Sequence, residues 1–266
     1  MKAKKSLSAS HITQYFSPNF QVSSQAKIHC FACLDSTNTW LKDNGECGDV
    51  CIAEQQTAGR GRRGKQWLSP NVENIYCSVK WCFKSVPAHL SLLSLVVGLS
   101  IVKALEKIGL TEHGVKWPND IFWHQQKMGG VLIEAISSSS KKYEQQVVIG
   151  FGLNVNMPES AGKLIDQPWV SLNNVLGVTV NRHQLLAYVL ESLTQELRNF
   201  EAFNIQQFQH DWQCWDVLKG KEVRVLQEQQ EGSGIVEGID GQGRIAIKLI
   251  SGEVKYYTSA EIRLKK

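Results

Sequence analysis

The sequence predicts an α+β protein: a mixed sheet with helices, followed by a small β barrel. Three observations lead there. Short apolar runs bounded by turn residues recur between positions 28 and 156, the one at 74–83 with the two-residue repeat of a strand. Two long stretches, 92–108 and 182–203, instead carry apolar residues at helical spacing. Beyond position 217 the pattern shortens to strand-like runs separated by glycine-rich turns. The 266 residues therefore divide into an N-terminal arm (1–27), a large domain (28–216) and a barrel (217–266).

Taken in order, the arm is polar and shows little periodicity, which suits a short packed extension. Residues 28–34 read as a strand, and Asp35-Ser36-Thr37-Asn38 supplies the cap chemistry of a helix start. Such a junction can close the helix or hold a polar head group. Residues 49–55 give a second strand, which runs into Gln55-Gln56-Thr57-Ala58-Gly59-Arg60-Gly61-Arg62-Arg63-Gly64-Lys65-Gln66-Trp67. Glycine and clustered like charges cannot build a core. They can bring backbone close to an anion and offer guanidinium forks to phosphate oxygens, so this segment reads as a phosphate-handling loop that orders when ligand arrives.

Gly59, Gly61 and Gly64 match G-x-G-x-x-G, and 59–65 matches G-x-x-x-x-G-K. Both patterns need a helix opening behind the glycines. Here Pro70 disfavours helix at Ser69, and Gln66 stands where a P-loop carries the Ser/Thr for magnesium. A phosphotransferase of that kind is set aside; a solvated basic patch stays open.

Residues 74–83 alternate Ile75, Cys77, Val79, Trp81 and Phe83, a strand with one buried face. The helix at 92–108 is apolar enough to lie inside the domain and stops at Gly109. Pro118 marks a bulge or edge in 115–122, and 121–123 is expected to pair as a hairpin with 131–135. Gly129-Gly130 suits close backbone approach to a ligand. Lys116, Asp120 and Lys127 are charges set into apolar strands, which places them at strand ends or around a charged substrate. A polar turn at 137–142 precedes a strand at 145–156. The helix 182–203 and a shorter one at 205–215 lead to barrel strands at 223–226, 234–239, 244–249 and 254–257.

Composition narrows the class. A 42% hydrophobic, 20% charged chain is globular, and a net charge of +4, much of it in the arginine loop and the two ends, lacks the broad basic stripe of a general nucleic-acid binder. No apolar run spans a bilayer and the N-terminus is no secretory signal, so a cytoplasmic protein is expected, with neither membrane nor nucleic acid as partner. Cys30-x-x-Cys33 and Cys47-x-x-x-Cys51 could supply zinc thiolates, but residues three apart on a strand face opposite ways. Free cysteines and no metal site are expected.

Together, Asp35-Ser36-Thr37-Asn38, the 59–64 glycine–arginine loop with Trp67, Lys116-Trp117-Pro118-Asn119-Asp120, Lys127 with Gly129-Gly130, and the strand end 150–156 resemble the biotin protein ligases, in family order from position 28 to the C-terminus. That family is related in catalytic fold to lipoate ligases and class II aminoacyl-tRNA synthetases. The resemblance implies such a mixed sheet with an SH3-like C-terminal barrel. It also implies ATP-dependent transfer of biotin, through biotinyl-5′-adenylate and with Mg2+, to a lysine of a biotin carboxyl carrier protein. Ser36, Thr37 and Gln56 would hydrogen-bond the ureido ring, with Arg62 over it and Asn38, Gly59 and Gly130 beside the vitamin. Arg60 and Arg63 would handle phosphate and the biotin carboxylate, and Lys127 would hold that carboxylate against the α-phosphate. Lys116, Trp67, Asn119, Asn154 and Trp169 would lie by the nucleotide or adenylate, and Asp120 would meet the incoming amine. Lys127, Arg60, Asp120 and Lys116 form the expected catalytic set.

Some relatives carry an N-terminal winged-helix domain. Residues 1–27 are too few for one, so a ligase without repressor activity is expected. The resemblance allows a homodimer through the catalytic sheet. The alternatives are a lipoate-type ligase, which uses the same anhydride chemistry, and a basic nucleic-acid-binding module, which explains the arginines but not Lys127 or the Ser36-Thr37 turn.

Overall fold

The computed structural model describes residues 6–23, 25–136, 143–227 and 230–265, so the polar turn expected at 137–142 lies outside the described residues. The arm carries a short helix α1 (Ala9–Thr13) and buries Leu7, Ile12 and Val22 against the large domain. A seven-stranded mixed sheet follows, in the order β1-β2-β3-β7-β6-β5-β4. Its strands are β1 (Ile28–Phe31), β2 (Val50–Ala53), β3 (Ile75–Phe83), β4 (His113–Lys116), β5 (Asp120–Trp123), β6 (Gln126–Ile136) and β7 (Gln145–Leu153). β1 and β2 are parallel and the other neighbours antiparallel.

Helix α2 (Thr37–Asn44) lies on one face of this sheet, while α3 (Leu93–Glu106) and α5 (Arg182–Asn199) pack on the other. Strand β6 shows the division: Glu134 reaches Asn38 of α2, whereas Val131 and Ile133 share a cavity wall with Leu93 and Leu95 of α3. Alternate side chains of one strand thus serve two layers. The same layering corrects the expected burial of β3. Residues 75–79 are buried on both faces, because β3 is an interior strand covered on each side.

Two further expectations change. Strand β5 pairs with 126–130, not with 131–135, through Asp120↔Gly130 and Trp123↔Gln126. The chain reverses at His124-Gln125, where His124 takes a left-handed φ of 49°, a turn that no glycine announces. Residues 131–136 pair instead with β7. The cysteines are not all free, since Cys47 is disulfide-bonded to Cys82 with Cα atoms 5.8 Å apart. The β2–β3 register, Val50↔Val79 and Cys51↔Ser78, runs back to set Cys47 opposite Cys82. Cys30, Cys33, Cys51, Cys77 and Cys214 are free.

A short helix α4 (Leu172–Leu176) and α6 (Ile205–Trp215) complete the large domain. The barrel holds β8 (Glu222–Gln227), β9 (Gln230–Ile239), β10 (Ile245–Leu249), β11 (Val254–Tyr257) and β12 (Glu261–Leu264), in the order β11-β10-β9-β8-β12. β12 is an addition to the four strands legible in sequence. No helix among the described residues is long and apolar enough to cross a membrane.

Candidate active site

On the α2 face of the sheet a cleft of about 1060 Å³ opens between α2, the arginine loop, the β4–β6 hairpins and β12 of the barrel. Its floor is made of glycine. Gly130 pairs with Gly152 and Leu132 with Gly150 across β6 and β7, so the three glycines share one face. A Cβ on Gly152 would sit 2.6 Å from Trp67 Nε1, and one on Gly150 would collide with the Asn38 carboxamide. Absence of side chains is what lets Trp67 and Asn38 lie flat on the sheet.

The arginine loop folds as a small hairpin, with the Gly61 N–H donating to Lys65 O at 2.7 Å and the Trp67 N–H to Gly59 O at 2.9 Å. The glycines open only a three-residue 3-10 turn at Arg62–Gly64, in line with setting the P-loop reading aside. Arg62 Nη1 donates to Asn119 Oδ1 at 3.1 Å, and Asn119 Nδ2 donates to Val131 O at 2.8 Å. Burial, together with neighbouring Arg63, pulls the Arg62 guanidinium below its ordinary pKa. Arg60 pairs with Glu134 at 3.0 Å, and Arg63 reaches across to Ser259 Oγ of the barrel at 2.5 Å.

Opposite the loop, register brings the strand charges together. Lys116 faces Asp120 across β4–β5, and Asp120 faces Gly130 across β5–β6. Lys127 Nζ lies 2.8 Å from Asp120 Oδ1 and 5.4 Å from the centre of the Trp67 ring. Lys116 Nζ sits 4.9 Å from the centre of the Phe122 ring. Burial lowers the Lys116 pKa; Asp120 opposes the shift and Lys127 reinforces it. The indole N–H of Trp67 is buried with no hydrogen-bond partner among the described residues. It is a donor waiting for an acceptor.

The third wall is neutral and polar. Ser36 caps α2, and Thr37 donates to Gln56 Oε1 through its N–H (2.9 Å) and its hydroxyl (3.1 Å). Ser78, which the sequence reading passed over, lies 2.7 Å from Thr37 Oγ1 and donates to Asn38 Oδ1 at 2.6 Å. Glu134 accepts from Asn38 and pairs with Lys42 at 2.5 Å.

Of the residues singled out in sequence, Ser36, Thr37, Asn38, Gln56, Arg60, Arg62, Arg63, Trp67, Lys116, Asn119, Asp120, Lys127 and Gly130 all line this cleft. Gly59 stands behind it, packed where a Cβ would strike the Trp67 carbonyl. Asn154 is buried and donates to Val170 O at 3.3 Å, and the Trp169 ring lies on Gly162 while its backbone bridges to Lys127. These two brace the segment that carries Lys127. The barrel residues Glu261 and Arg263 also reach the cleft wall, which no local pattern in the sequence signals.

Comparison with known proteins places this architecture. Residues 30–154 match the biotin/lipoate A/B protein ligase family and residues 219–265 the biotin protein ligase C terminal domain. The bifunctional ligase/repressor BirA of Escherichia coli is 35% identical over 235 residues, covering 87% of this chain and 72% of that protein. The biotin–[acetyl-CoA-carboxylase] ligase of Mycobacterium tuberculosis is 33% identical over 205 residues, covering 75% and 73%. The structure of a biotin protein ligase from Aquifex aeolicus in complex with biotin and ATP is 31% identical with a TM-score of 0.76, covering 90% of this chain and 99% of that one. With this identity carried over most of both chains, and with cation-lined cleft and barrel in place, the chain belongs to the biotin protein ligase family.

Proposed function

We infer that the protein ligates biotin to a lysine of a biotin carboxyl carrier domain, using ATP and passing through biotinyl-5′-adenylate. The observation that carries this reading is the convergence of Arg60, Arg62, Lys116 and Lys127, from the arginine loop and two strands, on one cleft whose other wall is the neutral Ser36–Thr37 turn with Gln56 beside it. A carboxylate is a poor electrophile. ATP activates it, but the reacting centre then collects two anions. Fixed cations offset that repulsion as negative charge grows in the transition state.

In the first half-reaction the biotin carboxylate oxygen attacks the α-phosphorus of ATP and pyrophosphate leaves. Lys127 is assigned to hold the carboxylate, Lys116 and the loop arginines to hold phosphate oxygens, and Thr37 and Gln56 to meet the ureido ring. Magnesium, when bound with the nucleotide, would supply charge at its phosphates. Asp120, Asp166 and Glu261 line the cleft and are the carboxylates that would face an ion carried in by the phosphates. In the second half the carrier lysine attacks the anhydride carbonyl, AMP departs, and Asp120 takes the amine's proton. The arginine loop is assigned to shut water out until then, with loss of tryptic cleavage at Arg60–Lys65 on adding biotin and ATP as its readout.

Mass spectrometry of a carrier domain incubated with the protein, ATP, magnesium and biotin tests the reading. A mass gain of one biotinyl group is expected with biotin and none with lipoate; transfer of lipoate alone would replace the assignment with the lipoate-type reading.

A further inference from the structure

We propose that Glu134 is a positioning residue for ligation: it fixes the proton direction of the vitamin-recognising network and latches Arg60 to it. This rests on the cleft being the biotin site. The Glu134 side chain, 14% exposed, meets three donors: Lys42 Nζ at 2.5 Å, Asn38 Nδ2 at 2.8 Å and Arg60 Nη2 at 3.0 Å. Burial alone would raise its pKa, but the hydrogen bonds from Lys42 and Asn38 and the charge of Arg60 hold it below the usual carboxylate range.

An ionised carboxylate only accepts. Asn38 must therefore turn its NH2 to Glu134 and its Oδ1 to Ser78, which commits the Ser78 hydroxyl proton. At the far end Ser69 Oγ donates to Trp67 O at 3.0 Å and so accepts from Gln56 Nε2, also at 3.0 Å. That aims Gln56 Oε1 at Thr37. Between these fixed ends the Thr37 hydroxyl has two acceptors within reach, Ser78 Oγ and Gln56 Oε1. Its proton is the one left to choose. It can swing to a ligand carbonyl while the Thr37 N–H keeps Gln56 Oε1 satisfied. A neutral amide at position 134 could present either end to Asn38, and the direction of the whole chain would be lost. The same carboxylate holds Arg60, so loop closure and vitamin recognition share one anchor.

Glu134→Gln tests this, with Lys42→Met as the control that strips one partner from the same carboxylate without touching Asn38 or Arg60. We expect Glu134→Gln to raise the biotin KM by about 10- to 100-fold, the worth of a charged hydrogen bond, and to speed adenylate escape similarly. kcat at saturating biotin should hold within about threefold, and Lys42→Met should leave KM within about twofold. An unchanged KM in Glu134→Gln, or equal rises in both variants, would overturn the assignment. If Glu134→Gln does not fold, Glu134→Asp keeps the charge but shortens the reach to Arg60; faster adenylate escape is expected and an unchanged rate refutes the latch. Wild-type protein that takes no biotin in this assay sinks the substrate reading, whereas wild type and Glu134→Gln behaving alike sinks only the role of Glu134.

Discussion

Glu54–Arg182 and Asp120–Lys127 are both ion pairs anchored on strand ends of one sheet, yet they are built on opposite plans. The first is nearly sealed, with side chains 10% and 4% exposed. Arg182 donates to both Glu54 oxygens and to Asn74 O, and the Leu7 N–H of the arm fills a further position on Glu54. The second is more open, at 23% and 15%, and sits in the wall of the cleft. An ammonium has three donors, and Asp120 Oδ1 accepts from one of them. A saturated pair holds parts of a fold together; an unsaturated one keeps charge available for something that arrives later. The contrast separates stability from chemistry within one molecule, and mutation can break it.

The largest effect should come from Lys127→Ala. Removing the cation assigned to the reacting carboxylate should slow adenylate formation about a thousandfold, the upper range for one fixed electrostatic contact. The fold should barely notice, because a partly exposed pair contributes little, and Tm should stay within about 2 °C. Pyrophosphate release near the wild-type rate would dissolve the contrast at its functional end.

Arg182→Met should do the reverse. It strands Glu54 without its partner, and breaking a buried pair costs about 3–5 kcal/mol. A Tm lower by roughly ten degrees is expected by circular dichroism for a chain of this size. At a temperature where the variant is folded, biotin transfer should proceed near the wild-type rate. A stable but inactive variant would show that the sealed pair serves the chemistry after all.

Arg62→Ala ranks below both. Arg62 is tied to Asn119 and half buried at the cleft mouth, so its loss should raise the rate of adenylate escape by about 10- to 100-fold. The first-step rate should change less. Escape at the wild-type rate, followed by the decay of pre-formed adenylate, would remove Arg62 from the closing device.

The two pairs also differ in how far the sequence betrayed them. Lys127, Asp120 and Lys116 stood out as charges interrupting apolar strands, and the arginine loop as a run that could not pack. Glu134 interrupts the same strand just as plainly, but its importance depends on Lys42, Arg60 and Asn38 meeting it, three contacts across 92, 74 and 96 positions that no local pattern encodes. Glu54–Arg182 joins residues 128 apart and was equally invisible. Secondary structure followed the same rule. Strands with a sustained repeat were legible, whereas β12 offers barely one alternation and the arm spreads Leu7, Ile12 and Val22 too thinly to show a face. The partner of β5 falls at 126–130 instead of 131–135 because the chain reverses through His124, a turn that no glycine marks in the sequence.

Lys116 carries the smallest and most pointed expectation, because it puts both halves of the contrast in one side chain. Burial lowers its pKa, so the folded protein holds this proton less tightly than the unfolded chain does. Below the folded value the charge is present in both states and costs stability. As pH rises through the folded value the cost fades, and it is gone above the unfolded value of about 10.4. Lys116→Met, which keeps the length and removes the charge, should therefore raise Tm by about 1–3 °C at pH 7, with the gain shrinking toward pH 11. If Lys116 holds phosphate as assigned, the same change should slow adenylate formation about tenfold. A variant that gains no stability at pH 7, or whose gain grows with pH, would mean that Asp120 compensates Lys116 fully, and that charge at this cleft is held without cost.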